Sequence, residues 1–597
     1  MEDWIRNASG HPRPDRVRKN IILLDGEWDF AYDRLDAGRA AGWWKGNGKW
    51  SRRIKVPYCV ESELSGIGDK LPPAAVWYRR EFDTPASLGE DMRLLLHFGA
   101  VDYRADVWVN GNYMGKHSGG YTPFHFDITD SLQVDKNEII VRVRDSLDPR
   151  IPRGKQSFLG KPFTIFYTTV TGIWQSVYLE TTGTARIENF LITPVPETGD
   201  IWVKISAAGS KGNHSFSSSV TDQNGNIHNM ETEFDMDASA ISSTSHCVKI
   251  KNPALWSPDD PILYRISLSL KDSDGEVQDE IDSYFGFRRI EIVDGTILLN
   301  GKPLYQKLLL NQGYFPGGHY TPETPDLFRR DIQLAKDMGF NGVRMHQKIE
   351  NPQFLFWADV LGFLVWEEMP SGFVWSKKLR YALRAQWKEV YTRDASHPCI
   401  ITWVMFCESW GVNNLVFSEN ARNFVREIVN TAREDDHTRL VIDNSGFEHV
   451  DTDVLDIHQY LGSIDLCEEF YESLRNPVKM QFHAANLFGR LDPSKEAVCP
   501  LAPTIEYGGE PVIISEYGGF GFYKTVDKPL LVNFRDYTLA IAGRNLFQGY
   551  AYTQMYDTEQ EQNGLLDFDR NPKIPLEDIR AVNDEVDRIL DERHREK

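Results

Sequence analysis

The sequence predicts a multidomain chain. An N-terminal jelly-roll β-sandwich spans 1–180, an immunoglobulin-like β-sandwich 181–287 and a C-terminal (β/α)8 TIM barrel 288–597. Two observations predict this order. Up to 287, apolar positions alternate with period two between Gly-, Asn- and Asp-containing turns. From 288 onward, eight apolar runs are mostly separated by helical segments, the rhythm of a closed parallel sheet.

In the first domain Leu94, Leu96 and Phe98 alternate with polar neighbours, as do Ala105, Val107 and Val109. Asn110-Gly111 follows as a hairpin signal, because both residue types tolerate positive φ. Ile139–Val143 and Trp174–Glu180 alternate again, on either side of a Pro- and Gly-containing loop from Asp148 to Pro162. Trp108 and Trp174 are expected in the sandwich core. The second domain repeats the pattern in Ile201–Ile205 and Leu263–Leu270, with turns at Asn224-Gly225 and Asp274-Gly275. Its Ser-rich stretches at 215–219 and 239–245 read as solvated strand faces or loops.

The barrel strand candidates are Leu304–Leu310, Asn341–Met345, Phe363–Trp366, Ile400–Phe406, Leu440–Asp443, Val454–Ile457, Val512–Ser515 and Phe547–Tyr552. Between the first two, Phe328, Ile332, Ala335 and Met338 recur at helical spacing, and Gly339 stops the helix. Pro352–Leu361 reads as the next helix. A doubly wound open sheet is the alternative, but neither GxGxxG nor a P-loop is present in the sequence.

Composition narrows the function. The net charge is −21, and the one short basic stretch, Arg13–Lys19, is too small to attract a nucleic acid or an anionic membrane. No apolar run approaches the ~18 residues of a membrane span. Cys59, Cys247, Cys399, Cys407, Cys467 and Cys499 show no CxxC or metal-ligand spacing and read as mostly buried free thiols of a reducing compartment. The opening MEDWIRNASGHPRPDR lacks an apolar signal core, so a cytoplasmic location is expected; a trimmed signal would instead mean a secreted or periplasmic protein.

In such a barrel, chemistry sits where strands end at the C-terminal face. Ile400–Phe406 runs into Cys407, Glu408, Ser409 and Trp410, and Val512–Ser515 runs into Glu516. Two carboxylates at a barrel mouth are the apparatus of glycoside hydrolysis, one protonating the leaving oxygen and one attacking the anomeric carbon. Arg344, His346, Glu368, His458, Tyr460, Tyr552 and Gln554 converge on the same face from other strand ends. Trp410, Trp375 and Tyr552 are expected as sugar-stacking platforms. His346 and His458 lack a third spaced ligand, so no metal is expected. The loop Gly154–Phe163 is expected to reach the pocket.

These residues lie in motifs that resemble glycoside hydrolase family 2, the family of β-galactosidases, β-glucuronidases and β-mannosidases. WYRREF (77–82), VWVNG (107–111), FHFDIT (124–129) and TGIWQSVYLE (171–180) resemble its sugar-binding sandwich. FGFRRIEI (285–292) and LLNGKPL (298–304) resemble the junction into its barrel. GFNGVRMHQ (339–347), RDASHPCIITW (393–403) and IISEYGG (513–519) resemble its catalytic strands. The resemblance implies a retaining hydrolase of O-glycosyl bonds, with Glu408 as acid/base, Glu516 as nucleophile and carboxyls about 5–5.5 Å apart. It implies that Arg344 and Tyr460 orient the nucleophile and that Cys407 stands where the family contacts the sugar; Trp410, His346, His458, Glu368, Tyr552 and Gln554 are expected, from their positions at the strand ends, to line the sugar site. No cofactor is implied; the partner is a carbohydrate substrate, and large enzymes of this kind often form homo-oligomers.

Two departures stand out. The family usually has Asn directly before the acid/base, where this chain has Cys407, and a thiol is a poor substitute donor to a sugar 2-hydroxyl. β-Glucuronidases carry an Asn-X-Lys element that grips the sugar carboxylate. Asn571-Pro572-Lys573 has the letters but lies later, so a β-galactosidase-like specificity is expected. The alternatives are the same fold acting on a β-mannoside, β-glucuronide or α-L-arabinofuranoside, an inverting or non-hydrolytic barrel enzyme, or a catalytically weak carbohydrate-binding protein.

Overall fold

The computed structural model describes residues 2–476, 500–524 and 528–596. In the first domain a four-stranded sheet (Ile21–Leu23, Val177–Gly183, Met92–Phe98, Phe124–Asp127) faces a six-stranded one. The second contains Arg52–Val56, Gly26–Tyr32, Ala75–Asp83, Lys136–Arg144, Arg104–Val109 and Asn112–Ser118. Leu94, Leu96, Phe98, Ala105, Val107 and Val109 all enter the core between them. Asn110 and Gly111, at φ 51° and 79°, make the hairpin turn between Arg104–Val109 and Asn112–Ser118. Neither tryptophan lies between these sheets. Trp108 stacks on Trp77 in a separate cluster with Ala31 and Ile140. Trp174 packs against Tyr320 at the seam with the barrel, where Thr321 Oγ1 donates to its carbonyl at 2.6 Å.

The second domain pairs a three-stranded sheet (Arg186–Val195, Asp200–Ala208, Ser242–Lys249) with a four-stranded one (Ile227–Met236, Gly212–Thr221, Tyr264–Lys271, Val277–Phe285). Arg18 ties it to the first domain, donating to Asp279 at 2.9 Å and to Glu180 at 2.6 Å. The helix Glu2–Ser9 was not foreseen: Trp4 sets its ring edge against Tyr284 and Phe356, docking the helix across the second domain and the barrel.

The barrel strands are β1 (Gln306–Asn311), β2 (Gly342–Met345), β3 (Leu364–Glu368), β4 (Ile400–Cys407), β5 (Leu440–Ser445), β6 (Leu455–His458), β7 (Val512–Gly518) and β8 (Phe547–Thr553). They are hydrogen-bonded in the order β5-β4-β3-β2-β1-β8-β7-β6, all parallel, and a parallel bridge between Gly446 and Ile457 closes the ring. Covered on both faces, such strands read as apolar runs rather than alternations. Among the described cysteines Cys59, Cys399, Cys407 and Cys467 are buried free thiols and Cys247 is half-buried; Cys499 lies outside the described residues. No helix among the described residues is long and apolar enough to cross a membrane.

Candidate active site

Arg344 of β2 is fully buried at the centre of the barrel mouth. Its Nη1 donates to Glu516 Oε1 at 2.5 Å, and its Nη2 reaches Glu368 Oε2 at 2.7 Å and the Cys407 sulfur at 3.2 Å. Tyr460 donates to Glu516 Oε2 at 2.6 Å, so both oxygens of that carboxylate are held. Burial alone would raise the Glu516 carboxyl. His458, Arg344 and the Tyr460 hydroxyl outweigh burial and hold the group well below the usual carboxylate range. Burial pushes the Cys407 thiol well up, and the nearby Glu368 charge adds to it, so the sulfur stays protonated.

Glu408 follows the last residue of β4 and takes φ 49°, with Ser409 at φ 60°. Two consecutive left-handed L-residues are strained, a feature that concentrates at functional sites. They are held there by Glu408 N donating to Ser445 O at 3.0 Å and Ser409 N donating to Asn444 Oδ1 at 2.8 Å. One imidazole links the two glutamates: His458 Nδ1 lies 2.9 Å from Glu408 Oε1, and its Nε2 lies 3.3 Å from Glu516 Oε1. Behind the ring, a Cβ at Gly446 would fall 2.2 Å from it, so only glycine, here at φ 83°, lets His458 pack there.

His346 Nδ1 lies 3.1 Å from Glu368 Oε1. Burial, followed by the Arg344 guanidinium and the Lys155 ammonium, holds His346 well below the imidazole range. Cys407, His458 and Glu516 offer ligand atoms within 4.8 Å of one another, as do His346, Glu368 and Cys407. The Arg344 guanidinium touches Cys407 in both sets and Glu516 or Glu368 besides, which puts a positive charge where a cation would have to sit.

Two of the three expected platforms are placed differently. Tyr552 is fully buried; on β8 it shares parity with Tyr550, which donates to Asn583 of the helix Leu576–Glu596, and it packs against Phe534 and Tyr517. Its ring therefore belongs to the layer between strands and helices, and Tyr552 is not a sugar platform. Trp375 lies under the Arg380 guanidinium and against Phe424, occupied by helix packing. Trp410 stays at the mouth, but Phe166 of the first domain stacks on it at 5.0 Å. Gln554 spends its amide on Asn563 Oδ1 at 2.8 Å and Glu561 O at 3.2 Å, bracing the loop after β8 rather than reaching into the mouth.

That loop carries residues the sequence did not single out. Glu561 accepts hydrogen bonds from Tyr167 and, at 3.1 Å, from Tyr523. The Tyr523 ring packs 4.7 Å from that of Tyr460, continuing the wall from the Glu516 side. The loop Gly154–Phe163 reaches the barrel's catalytic face: Gly154 N donates to Ser371 O at 3.0 Å, and Lys155 stands over the Trp410 ring. Tyr523 follows Glu516 by a short Gly-rich loop, which was the available signal; Glu561 and Tyr167 had none.

Comparison with known proteins places the chain. Residues 21–182 match the sugar binding domain of Glycosyl hydrolases family 2, 185–288 match Glycosyl hydrolases family 2, and 290–587 match the family's TIM barrel domain. A β-galactosidase of Thermoanaerobacter pseudethanolicus is 29% identical over 340 residues, covering 55% of this chain and 44% of the relative. A β-glucuronidase of Bacteroides fragilis is 26% identical over 456 residues, covering 71% of this chain and 60% of the relative. The chain thus spans about half the length of these curated relatives. Among solved structures, the β-glucuronidase from Ruminococcus gnavus in complex with D-glucuronic acid superposes with a TM-score of 0.75 at 20% identity, covering 96% of this chain and 98% of that one. Bacteroides uniformis β-glucuronidase 2, covalently bound to cyclophellitol-6-carboxylate aziridine, gives 0.75 at 19%, covering 93% and 68%. Sandwich, immunoglobulin-like domain and barrel each match the same family in chain order, and the chain belongs to Glycosyl hydrolases family 2.

Proposed function

We propose that the chain is a retaining exo-β-glycosidase that removes terminal non-reducing sugars, β-galactosides first among them. The observation that carries this reading is the asymmetry of the two glutamates bridged by His458. Glu516 is held ionised between Arg344 and Tyr460, whereas among the described residues Glu408 is paired with the His458 imidazole and with no arginine or lysine. A carboxylate fixed at both oxygens by a guanidinium and a hydroxyl is suited to attack; a carboxyl paired only with an imidazole is suited to exchange a proton.

Glu516 forms a bond to the anomeric carbon as the glycosidic C–O bond breaks, and the Glu408 proton passes to the departing oxygen. Glu408 then takes a proton from water as that water attacks the same carbon, releasing the sugar and restoring Glu516. A β-galactoside is favoured because the Asn-X-Lys letters at 571–573 lie later than the carboxylate-gripping element and both side chains are engaged with acids of their own loop. Asn571 donates to Asp567 at 3.0 Å and Lys573 to Asp557 at 2.5 Å. A second reading, an acidic glycone, is favoured by the Lys155 ammonium above Trp410.

The test is nitrophenolate release from β-galactoside, β-glucoside, β-mannoside, β-glucuronide and α-L-arabinofuranoside, with Glu516→Gln in parallel. Turnover that is lost in the variant supports the proposal; a variant as active as the parent overturns it.

A further inference from the structure

We infer that Lys155, delivered by the sandwich domain, binds an anionic substituent of the glycoside, a carboxylate or a sulfate, at the barrel mouth. The inference rests on the glycosidase reading above and names the substrate class within it.

The backbone that presents Lys155 is fixed on both sides. Arg153 is buried against Asp145 at 2.6 Å, and its carbonyl accepts from Tyr121 at 2.9 Å. A Cβ on Gly154, whose φ is 59°, would lie 2.0 Å from Gln347 O, so the loop touches the chain just past β2, backbone on backbone. Lys155 O accepts from Tyr167 N at 2.9 Å. The side chain therefore leaves a rigid base a few residues from Arg344 and His346.

The lysine is only 5% exposed as a residue, and among the described residues its ammonium stands over the Tyr167 and Trp410 rings with no carboxylate in ion-pair reach. Its Nζ lies 5.5 Å from the centroid of Trp410 and 5.8 Å from that of Tyr167. The acids around the mouth are already engaged: Glu368 and Glu516 by Arg344, Glu408 by His458, and Glu561 by Tyr167, Tyr523 and Asn563. Ring faces compensate an ammonium only in part, so a cation held over them at the mouth is best met by an arriving anion. A sugar hydroxyl also accepts from an ammonium but leaves the charge uncompensated. Trp410 lies two residues past Glu408, so an anion held over it sits beside the bond to be cut.

The experiment measures kcat/KM for nitrophenyl β-D-galactoside, its 6-sulfate, β-D-galacturonide and β-D-glucuronide with the parent chain, Lys155→Gln and Lys155→Arg. We expect the parent to favour a charged substrate over the neutral galactoside, and the charged-to-neutral ratio to fall by roughly 30-fold or more in Lys155→Gln. Lys155→Arg should keep most of that ratio, with thermal unfolding confirming that both variants fold. The substrate whose ratio collapses tells carboxylate from sulfate. A parent that prefers the neutral galactoside, or a Lys155→Gln that slows every substrate alike, overturns the inference. Should no glycoside be turned over, it is the glycosidase reading that fails. Calorimetric binding of D-galacturonate, D-glucuronate and D-galactose 6-sulfate then decides the lysine separately. Anion binding that Lys155→Gln abolishes sustains it, and no anion binding by the parent refutes it.

Discussion

Arg344 donates to the sulfur of Cys407 at 3.2 Å, so the guanidinium that pins Glu516 also touches the residue directly before Glu408. A thiol accepts weakly and donates weakly. A carboxamide at this position would take the Arg344 N–H on its oxygen and turn its N–H2 toward the sugar. Cys407→Asn is therefore expected to raise kcat/KM by roughly 3–10-fold, the worth of one added neutral hydrogen bond. The measurement is kcat/KM on the best nitrophenyl glycoside. Equal or lower activity would mean that the packing of the sulfur against Arg344 is what the site needs.

Glu516→Gln keeps a partner for Tyr460 but cannot form the glycosyl ester. Turnover is expected to fall by roughly 10³-fold or more, about 4 kcal/mol of barrier. A 2-deoxy-2-fluoro glycoside with a good leaving group should label the parent once per chain, with the added mass on the peptide containing Glu516. A label on any other peptide reassigns the nucleophile.

What the sequence makes legible follows from how each element is covered. All eight barrel strands stand out because parallel strands buried on both faces are apolar throughout. Arg344, Glu368, Cys407, His458 and Glu516 stand out because each closes or nearly closes such a run. The same uniformity hides parity: Phe547–Thr553 is apolar on both faces, so nothing local says that Tyr552 points to the helices. Lys155, Tyr523 and Glu561 come from loops whose shapes are set by distant contacts, such as Gly154 against Gln347. The short helix Glu2–Ser9 is likewise fixed by docking, since isolated helices of that length are marginal.

Glu408→Ala removes the proton donor but leaves Glu516 and its Arg344 and Tyr460 contacts in place. Substrates with poor leaving groups should lose roughly 10²–10⁴-fold in rate, the usual worth of general acid catalysis, while activated aryl glycosides still form the glycosyl-enzyme. Azide, which needs no general base, should restore turnover of the activated substrate and give a glycosyl azide of retained configuration. An azide product of inverted configuration would rule out the covalent intermediate.

Behind the bridge between the glutamates lies a second ion network with its own pH dependence. His449 is fully buried, with Nδ1 2.6 Å from Asp443 and Nε2 3.3 Å from Asp456 Oδ1. Burial works against its charge, but Asp443 and Asp456 prevail and push its pKa up to about 9. A group whose folded pKa is raised stabilises fully below its unfolded value, near 6.5 for histidine, and loses that contribution as pH rises through the folded value. Stability should therefore drop by roughly 3 kcal/mol between pH 6.5 and 9. Asp456 also accepts from Ser445, whose hydroxyl lies 3.4 Å from His458 Nε2, so the loss reaches the back of the site. Thermal unfolding across that window should show Tm falling with pH in the parent. His449→Gln should start lower, with Asp443 left buried on its backbone N–H donors but without a cation, and show a flatter profile. A variant as steep as the parent would place the titrating group elsewhere.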